Sequence, residues 1–292
     1  MKILANDGIS NSGKKKLEES GFDVSTNFVE QKNLISHINR EHISVLLVRS
    51  ATKVRKDLID QCSSIKVIGR GGVGMDNIDV EYAKAKGIEV INTPAASSLS
   101  VAELVFAHLY GSVRFLHESN REMPLDGDKN FKVLKKNYSK GIELRGKTLG
   151  IIGFGRIGRE TAKLAIGVGM NILVYDKFLK ESDLKIDFFD GNCAEFKIQI
   201  SKLEIVLKNS DFLTLHIPAQ DKYVIDTKEF ELMKNGIGII NAARGGVINE
   251  DELIKRLDND KISFAALDTF ENEPNPSIKL LMHPKISLTP HI

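Results

Sequence analysis

Ten short apolar runs, the longest of six residues, recur along this chain with helix-patterned segments between them. They fall at 3–5, 43–48, 66–68, 88–91, 149–152, 172–175, 212–215, 237–240, 264–267 and 286–288. Short runs with little polar alternation mark strands buried on both faces, and helices between them imply parallel sheets with a helical layer on each side. Ten strands exceed one modest sheet, and 292 residues with 42% hydrophobic content suffice for two cores. The spacing predicts an α/β chain of two doubly wound, Rossmann-like parallel-sheet domains with a cleft between them, covering residues 1–96 and 97–292. One long helix is predicted over 98–116, leaving the first domain and entering the second with serine as its N-cap; His108 within it and His117 at its end read as packing or surface residues. Residues 123–146, rich in Lys, Gly and Asp, read as a linker. Residues 184–200, apolar alternation on either side of Asp190-Gly191-Asn192, read as a β-hairpin without an assigned role.

Charge excludes some classes of partner. Lys and Arg number 41 against 39 acidic residues, a formal net charge of +2, which provides no whole-chain attraction to nucleic acid or membrane. The runs Lys14–Lys16 and Lys135–Lys136 read as solvated faces, with Lys136 kept as a candidate. Two cysteines, Cys62 and Cys193, form neither a disulfide framework nor a metal-ligand spacing, so no metal is expected and the reducing cytoplasm is the expected compartment. The opening MKILANDG is too short an apolar stretch for a signal peptide or a membrane span and fits a first strand.

The pattern G-x-G-x-x-G occurs twice, at 69–74 and 153–158, so context must choose. Both follow a strand run, but only the second opens a helical stripe, at 157, 161, 164, 165 and 168, apolar except for Thr161. Gly153, Gly155 and Gly158 would let the backbone turn and approach a pyrophosphate resting on the helix N-terminus. Asp176 ends the next strand run, about 20 residues on, where a carboxylate accepts hydrogen bonds from ribose hydroxyls and repels a 2′-phosphate. That favours NAD over NADP.

Reactive side chains collect just past strand runs, where open parallel sheets bind ligands. Arg49 and Arg70 end runs in the first domain; Arg244, Asp268 with Glu273, and His291 follow runs in the second. Singly each reads as an ordinary surface residue. Together they suit oxidation of an alcohol: His291 takes the hydroxyl proton as hydride leaves the carbon, Glu273 orients the imidazole, and Arg244 grips a substrate carboxylate with its planar fork.

At these residues the chain resembles the D-isomer-specific 2-hydroxyacid dehydrogenases over essentially its whole length. The fingerprint G153-F-G-R-I-G158 with Asp176, N241-A-A-R-G-G246, L267-D-T-F-E-N-E-P274 and T289-P-H-I292 carry the likeness. The resemblance implies catalysis by Arg244, Glu273 and His291, and NAD contacts also at Arg156, Ile157, His216, Ile217, Pro218, Ala243 and Asp268. Stretches V48-R-S-A-T-K-V54 and G69-R-G-G-V-G-M-D-N-I-D79 look most like the family's phosphoglycerate-oxidising branch. That implies Arg49, Ser50 and Arg70 at the phosphate of a phosphorylated 2-hydroxy acid, amides of Gly71 and Gly72 on its carboxylate, and Lys136 near a neighbouring subunit's substrate. It further implies a homodimer, or dimer-based tetramer, built through the cofactor domains. Reduction of glyoxylate or hydroxypyruvate is the alternative within the family, and an NAD-sensing scaffold like the C-terminal-binding-protein corepressors the alternative outside it. Family members continue past the histidine with a helix returning to the substrate domain, so truncation after Ile292 is expected; no serine-responsive regulatory domain is expected either.

Overall fold

A computed structural model describes residues 1–292. The chain divides into two compact units, Met1–Ser97 and Ser98–Ile292. Unit 1 runs β1 (Lys2–Ala5), α1 (Asn11–Glu19), β2 (Asp23–Ser25), α2 (Gln31–Glu41), β3 (Val45–Val48), α3 (Lys56–Gln61), β4 (Val67–Arg70), α4 (Val80–Ala85) and β5 (Glu89–Asn92). Its five strands pair in parallel in the order β2-β1-β3-β4-β5, the flavodoxin-like order. Leu4, Leu46 and Ile68 from the central strands are buried against Leu34 and Ile38 of α2 and Leu58 of α3. β2 has no counterpart among the ten runs: Val24 is its one buried residue, too little to register as an apolar run.

Unit 2 opens with α5 (Ser98–Val113) and α6 (Leu116–Tyr138). Then follow β6 (Thr148–Ile152), α7 (Arg156–Val168), β7 (Asn171–Tyr175), β8 (Glu181–Asp187), β9 (Cys193–Gln199), α8 (Leu203–Asn209) and β10 (Phe212–Leu215). The remainder is α9 (Thr227–Leu232), β11 (Ile237–Asn241), α10 (Glu250–Asp258), β12 (Ile262–Leu267), α11 (Ile278–Leu281) and β13 (Ile286–Leu288). Six strands form a parallel sheet ordered β13-β12-β11-β10-β6-β7. Adjacent residues of each run serve opposite faces. Ile152, Leu213, Leu215, Ile239 and Leu267 pack with α8 to α10, and Leu149, Ile151, Phe212, Ile240 and Ala266 with α5 and α7. A strand covered twice needs apolar side chains in both directions, which is why these runs show little alternation.

Two readings of the helical segments are corrected. The single helix expected over 98–116 is two helices bent by 53°, broken at Phe115, whose φ of 54° lies in the left-handed region. The linker expected over 123–146 is mostly helix, since α6 continues to Tyr138 through Pro124 with a kink at Asn130. Pro and Gly weaken a helix without forbidding it, and this one is largely exposed, so its breaker-rich composition misled. The hairpin is β8 with β9, paired antiparallel with Leu184 opposite Phe196. Its Leu184 and Ile198 join the core, and Arg159 of α7 donates to the Asp183 carbonyl at 2.9 Å. No single helix is long and apolar enough to cross a membrane.

Candidate active site

All six strands of the unit 2 sheet run the same way, so the segments that follow them emerge along one edge. Read across that edge, they are Asp176 after β7, the 153–158 turn after β6, His216 to Pro218 after β10, Ala243 and Arg244 after β11, Asp268 to Glu273 after β12, and His291 after β13. The sheet's switch point lies between β6 and β10, where the connections leave in opposite directions and a crevice opens.

At the switch point the glycine turn meets its neighbour closely. Gly153 has φ 94° and lies against the His216 carbonyl, so a methyl group there would overlap backbone. Gly155 is different: no atom lies within 4 Å of where its Cβ would stand. It is also the N-cap of α7 and offers no capping side chain, so the first amides of a 13-residue helix lack a side-chain cap beside an open approach. Asp176 is fixed alongside: Oδ2 accepts the Phe154 amide at 2.8 Å, and Oδ1 accepts those of Phe178 and Leu179 at 2.8 and 3.2 Å. Open backbone, a helix N-terminus and an acid at the end of the next strand suit a dinucleotide. Arg156 is exposed on the first turn of α7 and Ile157 half-buried. The His216 ring turns inward, its Nε2 3.2 Å from the hydroxyls of both Thr161 and Thr214, and burial pushes its pKa down to about 3. The ring is therefore neutral, and it is the backbone of this segment that borders the crevice.

At the other end of the edge, a carboxylate and an imidazole meet. His291 Nδ1 lies 2.9 Å from Glu273 Oε2, while Glu273 Oε1 accepts the Phe270 amide at 2.9 Å. Glu273 is thus held at both oxygens, and the ring nitrogen it does not occupy, Nε2, is left to other partners. The glutamate loop is itself clamped, because the Glu250 amide donates to Glu271 at 3.1 Å and the Glu271 amide to Glu250 at 2.8 Å. Burial raises the Glu250 pKa to about 7, with the nearby carboxylates of Glu271, Asp251 and Glu273 pushing the same way against the Glu271 amide. Arg244 follows β11 in a turn fixed by Asn241, whose side chain donates to the Arg244 carbonyl and accepts the Ala243 amide. Gly245 then lies so close to the Phe270–Glu271 peptide that any side chain would overlap it, which joins the arginine turn to the glutamate loop. Asp268 is buried and accepts the Thr289 hydroxyl at 2.7 Å.

Unit 1 has its own set of strand ends. Arg49, Arg70, Gly71 and Lys16 line a cavity of about 860 Å³ with Asp7, Ser10 and Asn92. The Arg49 loop is anchored by Asp7, which accepts the Arg49 and Thr52 amides at 2.6 and 3.1 Å, and by Asn77, which donates to the carbonyls of Arg49 and Thr52. Ser50 is exposed in this loop. The Arg70 guanidinium folds against Gly72. The Gly71 amide donates to Val48 O at 2.8 Å and the Gly72 amide to Arg70 O at 3.0 Å. Lys136 stands on the exposed last turn of α6, outside the row of strand ends. Sequence reasoning missed Asp7, Asn77, Glu250 and Thr289, which touch site residues only through tertiary contacts; Lys16 sat in a run read as solvated.

A doubly wound sheet with a nucleotide turn at its switch point and a carboxylate–histidine pair at its far edge defines an NAD-dependent oxidoreductase. Residues 106–292 match the family model described as D-isomer specific 2-hydroxyacid dehydrogenase, NAD binding domain. The chain is 39% identical over 281 residues to a hydroxypyruvate reductase of Thermotoga maritima, covering 94% of this chain and 85% of the relative. It is 40% identical over 294 residues to a D-3-phosphoglycerate dehydrogenase of Methanocaldococcus jannaschii, covering all of this chain but 53% of that one, about half its length. Among solved structures, a glyoxylate reductase from Paecilomyes thermophila superposes with a TM-score of 0.79 at 27% identity, over 99% of this chain and 87% of that one. The chain belongs to the D-isomer-specific 2-hydroxyacid dehydrogenase family.

Proposed function

We propose that the chain oxidises 3-phosphoglycerate to 3-phosphohydroxypyruvate with NAD, under which reading it performs the opening step of serine synthesis in the cytoplasm. One observation carries the choice of substrate: Arg49, Arg70 and Lys16 line a single cavity at the strand ends of unit 1, three cationic side chains suited to a phosphate. The 153–158 turn and α7 hold the pyrophosphate, Asp176 the adenosine ribose, and the segments after β10 and β11 the nicotinamide end. Bound NAD supplies the hydride acceptor. His291 Nε2 takes the proton of the C2 hydroxyl as that carbon loses hydride, and Glu273 on Nδ1 stabilises the imidazolium that results. Arg244 holds the substrate carboxylate and polarises the reacting oxygen.

Steady-state assays of Arg49→Ala against phosphorylated and unphosphorylated 2-hydroxy acids test this. Loss of a charge-assisted contact lowers kcat/KM for 3-phosphoglycerate roughly 10- to 100-fold and leaves glycerate little changed. An equal loss on both removes the phosphate role. The 85% coverage of the Thermotoga maritima reductase favours a second reading, reduction of hydroxypyruvate; under it, wild-type kcat/KM is higher without the phosphate than with it.

A further inference from the structure

His108 is a histidine that the catalytic scheme does not use, and it is 6% exposed. It lies on α5, far in sequence from the residues it bonds. Nδ1 is 2.9 Å from Ser287 Oγ, on β13, and Nε2 is 3.0 Å from Thr289 Oγ1, two residues before His291. The protons in this network are determined. Thr289 has one hydroxyl proton and donates it to Asp268 Oδ1 at 2.7 Å, so its oxygen accepts from His108, which carries its proton on Nε2. Nδ1 then accepts from Ser287. Burial lowers the pKa of His108, against an opposing pull from Asp268 and with His117 adding to the lowering, which keeps the ring neutral; the hydrogen bonds set the tautomer.

The same Asp268 oxygen also accepts the Ile292 amide at 3.1 Å. The residues two before and one after His291 are thus tied to a single carboxylate oxygen. Between them His291 has φ 58°, a left-handed conformation uncommon outside glycine. Nothing in the Glu273 contact demands that backbone conformation, because it acts on the side chain; the chain on either side of His291 is held instead through the Thr289 hydroxyl and the Ile292 amide.

We propose that His108 is a positioning residue for His291: by fixing the Thr289 hydroxyl on Asp268, it sets the backbone from which the imidazole reaches Glu273 and substrate. The proposal rests on His291 being the proton-transfer group. It differs from a structural role for a buried histidine in one respect. A positioning residue has nothing left to position once His291 is gone, whereas structural damage lowers whatever activity remains.

The test measures kcat, KM and NADH affinity on the full chain for His108→Phe, His108→Gln, Thr289→Val and His291→Ala, and for His108→Phe combined with His291→Ala. His108→Phe lowers kcat roughly ten- to a hundredfold, as second-layer contacts and small misalignments do, with NADH affinity within about twofold. His108→Gln, which keeps a donor for Thr289, restores most of the loss. In the His291→Ala background His108→Phe costs nothing further. Wild-type kcat in His108→Phe, or a loss that multiplies with His291→Ala, overturns the proposal. Should His108→Phe not fold, Thr289→Val makes the same comparison, falling in kcat alone if the inference holds and matching wild type if it does not. Near-normal turnover in His291→Ala is a separate failure, that of the acid–base assignment itself.

Discussion

A histidine with one ring nitrogen 2.9 Å from a carboxylate oxygen keeps a fixed tautomer and one nitrogen for proton exchange, which is the minimum a general base requires. Replacing His291 with alanine is expected to lower kcat about 10²- to 10⁴-fold while NADH binding survives, checked by NADH absorbance and fluorescence titration. Glu250 makes a residue-scale expectation of a different kind. Its folded pKa, about 7, lies above its ordinary 4.5, so between those values the folded chain binds more protons than the unfolded one and stability falls as pH rises. The cost, fully developed above pH 7, is on the order of a few kcal/mol at about 1.4 kcal/mol per unit. Glu250→Gln removes the titrating group and keeps an acceptor for the Glu271 amide. The buried His216 and His108 titrate alike in both proteins, so the wild-type urea midpoint should fall relative to that of the variant as pH rises from 4.5 to 7.5. The reactive members Arg244, Glu273 and His291 stood out in the sequence because each follows a strand run. Glu250 and His108 did not, since a buried carboxylate or imidazole acquires its meaning from what covers it.

Among the elements, the β6–α7 turn divides packing from binding within one motif. Gly153 and Gly158 are pressed against backbone, but Gly155 faces open space with an ordinary φ of −72°. Gly155→Val should consequently lower the unfolding temperature by only about 2 to 4 °C, because the side chain overlaps nothing and the poorer N-cap costs about 1 kcal/mol. NADH affinity should drop at least tenfold, as the side chain stands where a phosphate would approach. Unchanged affinity would separate the turn from the cofactor. The strand elements were legible because two-sided burial writes continuous apolar runs. α6 was not: it contributes one buried residue, Leu134, and carries Pro124 and Gly127, so neither periodicity nor composition announced a helix.

For the whole molecule, α6 exposes Leu116, Met123, Leu125, Phe131 and Val133, with Leu125 77% accessible. Helices with that many outward apolar groups are stabilised by a partner surface. A dimer built through unit 2, the assembly expected from the family resemblance, would cover this face. Light scattering should give the mass of a pair for the wild type and of one chain for Leu125→Glu with Phe131→Glu. A variant that remains paired would remove α6 from the interface.

By itself the sequence determined the class of fold and the class of enzyme, because both are written locally. Apolar runs report strands buried on two faces, a glycine turn followed by a strand-terminal acid reports a nucleotide, and reactive residues placed after strands report the edge where ligands bind. Only the tertiary structure decided which nitrogen of His291 meets Glu273, that Gly71 and Gly72 spend their amides inside the fold, and that His108 reaches Thr289 across the unit. Those outcomes depend on strand order and on contacts between residues far apart in the chain, and no local pattern of side chains encodes them.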